Sequence, residues 1–453
     1  MSRTLTLASS LLLGLVAAQS PDTTAENHPK LTTYKCTTAG GCTAQDTALV
    51  LDASSHRIYQ ANAPESNCGD WGSGANATAC PDEETCQQNC ILEGISDYTA
   101  NGVYTNGSDL TLLMLSNDGE TEYSPRIYLL NEAEDAYEML QLTGQEFTFD
   151  VDMSKLPCGM NSALYLSEME ATGGKDSSDL SVAGAEYGAG YCDAQCYTTP
   201  FINGLGNING SGVCCNELDI WEANARATHI APHPCNQPGL YACDASGEDC
   251  GDNGVCDKSG CSMNPYKMGH PEYYGLDLEV DTSRPFTVVT QFPSDQSGQL
   301  TAIRRLYIQD GKTIEMPIST AQGVPAQNFL NDEYCNATGA DKYMGLGATG
   351  GMGEAMSRGM VLVFSIWWDK SSFMEWLDGA SSNAGPCNAT EGNPEFIKSI
   401  QPDTQVTFSQ IRWGDIGSTF SGSTNGTGSI NGSSSAVSSL PQRSNVKGLP
   451  FQS

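Results

Sequence analysis

The sequence predicts an all-β protein built as an antiparallel β-sandwich, and three observations lead to that prediction. Several segments alternate apolar and polar residues with a period of two, as half-buried strands do. Gly, Asn, Asp and Ser break the chain repeatedly between these segments, and the chain holds 48 glycines. Helical patterns are few and short. Many strands joined by long loops are typical of a sandwich.

The first 18 residues read as a secretory signal. Arg3 supplies the positive end, residues 5–16 form the apolar run, and small residues precede Gln19. The run is too short to span a bilayer. Eighteen cysteines and several glycosylation sequons agree with export into an oxidising compartment. The sequons lie at Asn76, Asn106, Asn209, Asn336, Asn388, Asn425 and Asn431. We therefore expect a secreted protein.

Five segments further along the chain carry the clearest strand pattern. They are residues 110–115, 146–153, 286–292, 360–368 and 405–413. In the second of them Phe147, Phe149 and Val151 point one way while Thr148 and Asp150 point the other. Residues 81–90 predict a short helix with Pro81 in its first turn.

The chain reads as one domain despite its length of 453 residues. No linker composition occurs between Cys36 and Trp413, so we expect a single domain over residues 19–417. Residues 418–453 are rich in Ser, Gly, Thr and Asn and contain no Cys. That composition predicts a disordered tail.

The net charge narrows the choice of partners. The chain has 54 acidic and 21 basic residues, a formal charge of −33. Nucleic-acid binding needs clustered Lys and Arg, so this charge argues against nucleic acid and equally against anionic membranes. A neutral polymer such as a polysaccharide is compatible with it.

Three carboxylates lie within six residues in the segment 214–224. In a strand Glu217 and Asp219 point the same way, whereas Glu222 falls on the opposite parity. One extra residue in a β-bulge would bring Glu222 to the same face. Glu217 and Glu222 would then be about 13 Å apart at Cα. Two inward-leaning side chains could narrow the carboxyl gap toward roughly 5–5.5 Å.

Such a pair suits the cleavage of a glycosidic bond. Close like charges drive pKa values apart, so one carboxyl can attack the sugar as an anion while the other donates a proton. The alternative is an acidic exposed face that protects an edge strand from aggregation. Cys214-Cys215 directly before the acids and Trp221 at the position of the expected bulge favour the catalytic interpretation.

The surrounding motif resembles that of glycoside hydrolase family 7, the fungal retaining cellulases. The matching residues are Asn-Glu-Leu-Asp-Ile-Trp-Glu-Ala-Asn at 216–224 and Ala-Pro-His-Pro-Cys at 231–235. The resemblance implies a curved, concanavalin-like jelly roll with long loops forming a substrate groove. It implies that Glu217 is the nucleophile, Glu222 the acid/base and Asp219 the partner that orients Glu217. It places His233 beside the acid/base.

The same resemblance implies a set of substrate-binding residues. Sugar rings stack on aromatics, and their hydroxyls need planar polar partners. Trp367 and Trp376 match positions that stack sugars on the leaving-group side. The other implied residues are Arg57, Arg126, Asn161, Tyr165, Tyr191, Asp193 and Gln195. Ile58 stands where a stacking Trp occurs in cellobiohydrolases, which puts the far glycone subsite in question.

The cysteines raise a choice between metal and disulfides. None of their clusters has the pair spacing of a zinc ribbon, and the secretory context favours bridges. We expect no metal and no cofactor. The resemblance implies nine pairs, Cys36–Cys42, Cys68–Cys90, Cys80–Cys86, Cys158–Cys387, Cys192–Cys215, Cys196–Cys214, Cys235–Cys256, Cys243–Cys250 and Cys261–Cys335.

Loop lengths favour an endo-acting enzyme. Segments 203–214 and 250–256 lack insertions typical of cellobiohydrolases, and segment 382–393 resembles the endoglucanase version. We expect a monomer that cleaves internal bonds of β-1,4-glucan. A cellobiohydrolase of the same family is the alternative within the class. A lectin that binds glycans without cutting them, or a structural secreted protein, would not need three acids on one strand.

Overall fold

The computed structural model describes residues 20–116 and 118–421, most of them in strands and loops. The strands are β1 (Ser20–Pro21), β2 (Lys30–Thr37), β3 (Gly41–Leu51), β4 (Ile58–Gln60), β5 (Ala63–Asn67), β6 (Cys90–Leu92), β7 (Val103–Asn106), β8 (Asp109–Leu113), β9 (Arg126–Leu130), β10 (Met139–Leu140), β11 (Gln145–Asp152), β12 (Met160–Ser167), β13 (Phe201–Ile202), β14 (Leu205–Gly206), β15 (Gly212–Cys214), β16 (Glu217–Ala223), β17 (Thr228–His233), β18 (Tyr241–Cys243), β19 (Tyr274–Gly275), β20 (Val280–Asp281), β21 (Phe286–Gln291), β22 (Ile303–Gln309), β23 (Lys312–Glu315), β24 (Phe329–Leu330), β25 (Met360–Trp368) and β26 (Gln405–Asp415). The helices are α1 (Glu83–Asn89), α2 (Asp332–Ala337), α3 (Asp341–Gly345), α4 (Ala348–Arg358), α5 (Glu375–Asp378) and α6 (Pro394–Ile400).

One hydrogen-bonded network of 16 strands forms the body of the molecule. Its main path runs β17-β16-β12-β25-β9-β3-β2-β26-β11-β21-β22-β23. Pairing is antiparallel along this path except between β2 and β26, which run parallel. A second, smaller sheet has the order β1-β6-β4-β5.

The network folds back on itself, so that its two halves pack face to face. Phe149 of β11 meets Trp221 of β16 edge-on at 5.7 Å, although these strands are far apart along the path. Phe364 of β25 lies 5.5 Å from Phe408 of β26. The apolar residues of both halves form one buried cluster. The predicted β-sandwich is therefore confirmed. Its core lies between one half of the network, which runs from β17 to β3 along the path, and the other half, which runs from β26 to β23.

The five strands expected from the pattern are present. Strand β25 has the predicted bounds, and the other four differ by one or two residues at one end or at both ends. The predicted helix over 81–90 is shorter, because Asp82 caps it by accepting a hydrogen bond from Thr85 N. Pro81 therefore precedes the cap, and its placement in the first turn was wrong.

All nine implied disulfides are present, with no free cysteine in the part of the chain that the structure describes. Cys192–Cys215 and Cys196–Cys214 join the loop at 192–196 to the residues just before β16. These two bridges, called the twin staples below, fix that loop against the strand that carries the three carboxylates.

The two ends of the chain are only partly described. The predicted signal at 1–18 and residues 422–453 of the predicted tail lie outside the described residues. Thr419 falls within the expected tail but is buried and donates to Glu146 Oε1 at 2.7 Å. Packed structure thus reaches past Gly417. Among the described residues, no helix combines the length and apolar character that a bilayer crossing requires.

Candidate active site

Strand β16 contains the bulge that the spacing of its acids requires. Its pairing with β17 slips between Asp219 and Glu222, and its pairing with β12 slips across the same stretch. Ile220 and Trp221 consequently both point into the core, where each is fully buried. Glu217, Asp219 and Glu222 share the other face, which is called the carboxylate face below. The predicted bulge is confirmed.

Strand register extends the carboxylate face sideways across neighbouring strands, because directly opposed residues point the same way. Glu222 is opposite Ala163, so Asn161 and Tyr165 of β12 share its face. Asn161 is opposite Trp367 of β25. Ser365, two residues earlier, is opposite Arg126 of β9. The sheet thus gathers four predicted site residues beside the acids.

Glu217 lies at the start of β16, against the stapled loop. Its Oε2 accepts a hydrogen bond from Ala194 N at 3.0 Å. Burial raises its pKa well above the ordinary value, and the neighbouring Asp219 and Asp193 raise it further. His233 and the Ala194 N–H act in the opposite direction.

Asp219 is paired with His233, which corrects one expectation. His233 Nε2 lies 3.0 Å from Asp219 Oδ2, and its Nδ1 donates to the Asp257 carbonyl at 2.8 Å. His233 is therefore the partner of the middle carboxylate and does not lie beside Glu222. Burial and Glu222 raise the pKa of Asp219 to about 6, and the contact with Asp219 raises the pKa of His233 to about 10.

The backbone at Gly260 holds the His233 ring in place. Gly260 has φ +65°, and a Cβ there would lie 2.7 Å from His233 Cε1. Only glycine permits that approach without displacing the ring.

The residue that touches Glu222 is His229, which the sequence analysis did not select. Its Nε2 forms a hydrogen bond with Glu222 Oε2, and its Nδ1 lies 3.2 Å from Ser262 Oγ. Asn161 Nδ2 donates to Glu222 Oε1 at 2.7 Å. The sequence could have revealed His229, because His229 and His233 are four residues apart on β17 and so share a face.

The pKa order of the two glutamates is the reverse of the one that the resemblance implies. Burial alone would raise the pKa of Glu222, but His229 and the Asn161 amide outweigh it and lower the pKa. The pKa of Glu217 is raised. His229 and Asn161 therefore set the ionisation of the carboxyl that the resemblance assigns as the acid/base.

Two tryptophans extend the site on the Glu222 side. The rings of Trp367 and Trp376 stack with centroids 6.2 Å apart, and His229 lies 5.5 Å from Trp376. Both tryptophans are half-buried, so part of each ring is open to a ligand. Both rings thus lie on the His229 side of the carboxylate face, and their stacking on a sugar stays a prediction.

A row of aromatic and guanidinium contacts leads away on the Glu217 side. The hydroxyl groups of Tyr165 and Tyr191 form a hydrogen bond of 3.0 Å. The Arg126 guanidinium lies 3.5 Å from the centre of the Tyr191 ring. Asp52, buried beside Arg126 at 3.2 Å, neutralises its charge. Burial would by itself raise the pKa of Asp52, but Arg126 together with hydrogen bonds from Ser54 and Tyr128 outweighs it and lowers that pKa.

Trp71, another residue missed from the sequence, continues this row. The Arg126 guanidinium lies 4.7 Å from its ring, which is 44 % exposed. Trp71 lines an open cleft together with Ile58 and Tyr191. The isolated Trp in a Gly-rich turn gave no motif by which to find it.

The remaining predicted residues differ in how close they come to the carboxylates. Asp193 is buried in the stapled loop, where its Oδ1 accepts from the Gln195 and Cys196 N–H groups. Gln195 donates from its side chain to the Lys258 carbonyl at 2.8 Å. The side chain of Arg57 is 57 % exposed and contacts Glu93 and the Tyr59 ring in or beside the small sheet. The structure does not bring Arg57 together with the other site residues.

The arrangement of the carboxylate face indicates a class of protein. The face carries two glutamates with an aspartate between them and aromatic rings on either side. Carboxylate pairs flanked by sugar-stacking rings belong to glycoside hydrolases. Comparison with known proteins agrees. The family model described as Glycosyl hydrolase family 7 matches residues 20–420.

Individual relatives cover nearly the whole chain. Endoglucanase 1 of Pyricularia oryzae is 57% identical over 92% of this chain and 97% of that protein. The native structure of the Humicola insolens endocellulase EGI has a TM-score of 0.86 at 55% identity, covering 88% of this chain and all of that one. A family 7 cellobiohydrolase from Daphnia pulex has a TM-score of 0.81 at 34% identity, over 88% of this chain and all of that one. The chain belongs to glycosyl hydrolase family 7.

Proposed function

We propose that the protein is an endo-β-1,4-glucanase that cleaves internal bonds of cellulose and related glucans with retention of anomeric configuration. The relatives named endoglucanase and endocellulase are far more similar to this chain than the cellobiohydrolase is. The observation that carries the mechanism is the bulge in β16, which puts Glu217 and Glu222 on one face.

In this mechanism Glu217 attacks the anomeric carbon and Glu222 protonates the departing oxygen. A covalent glycosyl-enzyme forms as the glycosidic bond breaks. Glu222 then removes a proton from water, which attacks the same carbon and releases Glu217. The Ala194 N–H and His233 stabilise the anionic form of Glu217, while Asp219 holds His233 in place.

The glucan chain would lie along the carboxylate face from the Trp71 cleft to the two stacked tryptophans. Tyr165, Tyr191 and Arg126 would contact sugars before the cleavage point, with Asp193 and Gln195 shaping the loop beneath them. Trp367 and Trp376 would stack those after it. For Arg57 we propose only a contact with sugars beyond the Trp71 cleft, because the next residue, Ile58, lines that cleft.

Export and a monomeric state are part of the proposal. Nine disulfides support an oxidising compartment. The net charge of −33 supports a neutral polymer as substrate in preference to nucleic acid or an anionic membrane surface.

Replacement of Glu217 by Gln tests the assignment. We expect E217Q to lose turnover of an aryl β-cellobioside by at least about 10⁴-fold, since the amide cannot form the glycosyl-enzyme. E217D, a matched control that keeps the carboxylate, should retain more activity than E217Q. Turnover by E217Q near that of the unmodified enzyme would refute the nucleophile.

Viscosity separates the endo mode from its alternatives. An endo-acting enzyme should lower the viscosity of carboxymethylcellulose quickly while releasing few reducing ends. A cellobiohydrolase would release reducing ends with little early loss of viscosity. A lectin would bind the polymer and change neither quantity.

A further inference from the structure

Arg305 is a buried cation that the proposed mechanism does not use. It lies on β22 and is 2% exposed, among the largest fully buried side chains of the described residues. Within that part of the chain no carboxylate lies within 4.0 Å of its guanidinium. Burying a charge without a counter-charge costs several kcal/mol, so a position that keeps one demands an explanation.

The partner of Arg305 is the backbone of the bulge. Arg305 reaches across the sandwich core and donates from Nη2 to the Ile220 carbonyl oxygen. Its Nε donates to Thr290 Oγ1 at 3.0 Å, which fixes the direction of the side chain. Its guanidinium also lies over the Trp221 ring at 5.5 Å. Both residues that the bulge turns into the core, Ile220 and Trp221, therefore contact Arg305.

The Ile220 carbonyl needs such a donor. Ile220 is the one residue of β16 that has no register partner on either β12 or β17. A carbonyl freed by a bulge and buried in an apolar core costs about 1–3 kcal/mol if it stays unpaired. The Arg305 guanidinium donates to this carbonyl from the opposite half of the folded network.

We propose that Arg305 is a positioning residue that locks the bulge of β16 and thereby keeps Glu222 on the same face as Glu217. The inference rests on the proposed function, because it assigns Arg305 a role in the same site. Without the bulge, parity would turn Glu222 into the core while Glu217 stayed in place. Even a partial relaxation would move Glu222 relative to the bond that it protonates, and a 1 Å displacement can cost about 10²-fold in rate.

The test compares R305M with R412M on the full-length protein. Methionine fills most of the Arg305 volume without a donor. Arg412 is a matched control, because it is also largely buried and donates to backbone carbonyls, those of Gln410 and Thr419, away from the carboxylate face. The substrate is an aryl β-cellobioside, and active sites are counted by titration with a 2-fluoro cellobioside that traps the glycosyl-enzyme.

We expect R305M to lose about 10- to 100-fold in kcat per titrated site while KM changes less than about threefold. R412M should lower the melting temperature yet keep its kcat. A purely structural Arg305 would instead give R305M a lower melting temperature with kcat within twofold of the unmodified enzyme, and that result would overturn the proposal.

R305K keeps the question answerable if R305M does not fold. Lysine retains the charge but replaces the planar fork by a single ammonium group, so it cannot hold Thr290 and Ile220 in the same geometry. We expect R305K to fold and to lose at least about threefold in kcat, with an altered basic limb of the pH profile as Glu222 shifts. Unchanged kcat and an unchanged pH profile would contradict the inference. Failure of the proposed function would look different, because the unmodified enzyme would then cleave no β-glucoside.

Discussion

At the scale of single residues, the site is a set of buried charges whose balance decides which carboxyl is ionised. Glu217, Asp219 and Glu222 are each less than one tenth exposed. Two histidines of β17 contact different carboxylates: His233 contacts Asp219, and His229 contacts Glu222. Each carboxylate therefore has its own environment, which is how similar groups acquire different roles.

Variants of Asp219 and His233 should move the pH profile in opposite directions. The acidic limb of kcat/KM reports ionisation of the nucleophile in the free enzyme. Asp219 raises the pKa of Glu217 and His233 lowers it. D219N should therefore shift this limb to lower pH, and H233N should shift it to higher pH, each by about one unit.

The measurement is kcat/KM for an aryl β-cellobioside as a function of pH at constant ionic strength. G260A serves as a milder companion to H233N, because a Cβ there would push the imidazole away without removing it. Shifts of D219N and H233N in the same direction would show that charge coupling to Glu217 is not what these residues provide.

At the scale of elements, the twin staples and the bulge prepare the carboxylate face before any substrate arrives. The loop at 192–196 supplies Ala194 N–H to Glu217 and is tied at both of its ends to Cys214 and Cys215. The strand carrying Glu217, the proposed nucleophile, and the loop that donates a hydrogen bond to it are thus covalently joined. Such support from surrounding structure is what holds a catalytic group within a fraction of an ångström of its working position.

Removal of one staple should affect both stability and ionisation. C196A/C214A opens a loop with a sequence separation of 18, which corresponds to about 3 kcal/mol of unfolding free energy. If the loop also loosens, the Ala194 hydrogen bond weakens and the acidic limb of kcat/KM moves to higher pH. C36A/C42A, a bridge on β2 and β3 remote from the site, is the control and should leave the pH profile unchanged.

Trp71 extends the site at the other end of the same face. W71A should lower kcat/KM for cellohexaose by about tenfold, which is the loss of roughly 1–1.5 kcal/mol of ring stacking. The aryl β-cellobioside has only two glucosyl units, so we expect its cleavage to lose much less than that of cellohexaose. Equal losses on the two substrates would mean that Trp71 supports the fold and does not bind a sugar.

Sequence reasoning identified the parts of the site that follow chain order and missed those that depend on packing across the fold. Parity together with the spacing of Glu217 and Glu222 was enough to predict the bulge. His229 could have been found from its spacing to His233, whereas Arg305 and Trp71 could not. The role of Arg305 depends on its contact with Ile220 across the sandwich, and the role of Trp71 depends on its contact with Arg126. Neither contact can be read from the order of residues in the chain.

The fold was predicted with similar limits. Strand β11 was found because its side chains alternate between apolar and polar, and β25 was found although its residues are almost all apolar and buried. The helices between residues 332 and 358 were missed, since α2 and α3 are only six and five residues long and α4 contains three glycines. Disulfide pairing followed from the family resemblance alone, because spacing leaves many connectivities possible.

At the scale of the whole molecule, the fold should be more stable in mild acid than in alkali. The pKa of His233 is raised from 6.5 to about 10, so its favourable contribution is complete below pH 6.5 and is lost as pH rises toward 10. The pKa of Asp219 is raised from 3.8 to about 6, so its contribution also falls as pH rises. Repulsion within a chain of net charge −33 acts in the same direction.

We expect the melting temperature to fall by about 5 °C or more between roughly pH 5 and pH 9. Added salt should screen the surface repulsion but leave the buried contribution of His233. H233N should therefore show a shallower decline than the unmodified protein at high salt. A melting temperature that rises across this interval would contradict the directions given for His233 and Asp219.

The central claim is that one bulged strand places an attacking carboxylate and a proton donor on opposite sides of the same glycosidic bond. Its most direct test is to trap the enzyme with a 2-deoxy-2-fluoro cellobiosyl fluoride and to sequence the labelled peptide by mass spectrometry. We expect one 2-deoxy-2-fluoro cellobiosyl group per chain, attached to Glu217 and absent from E217Q. Label on Glu222 or Asp219, or rapid turnover of the natural substrate with inversion and no label at all, would contradict it.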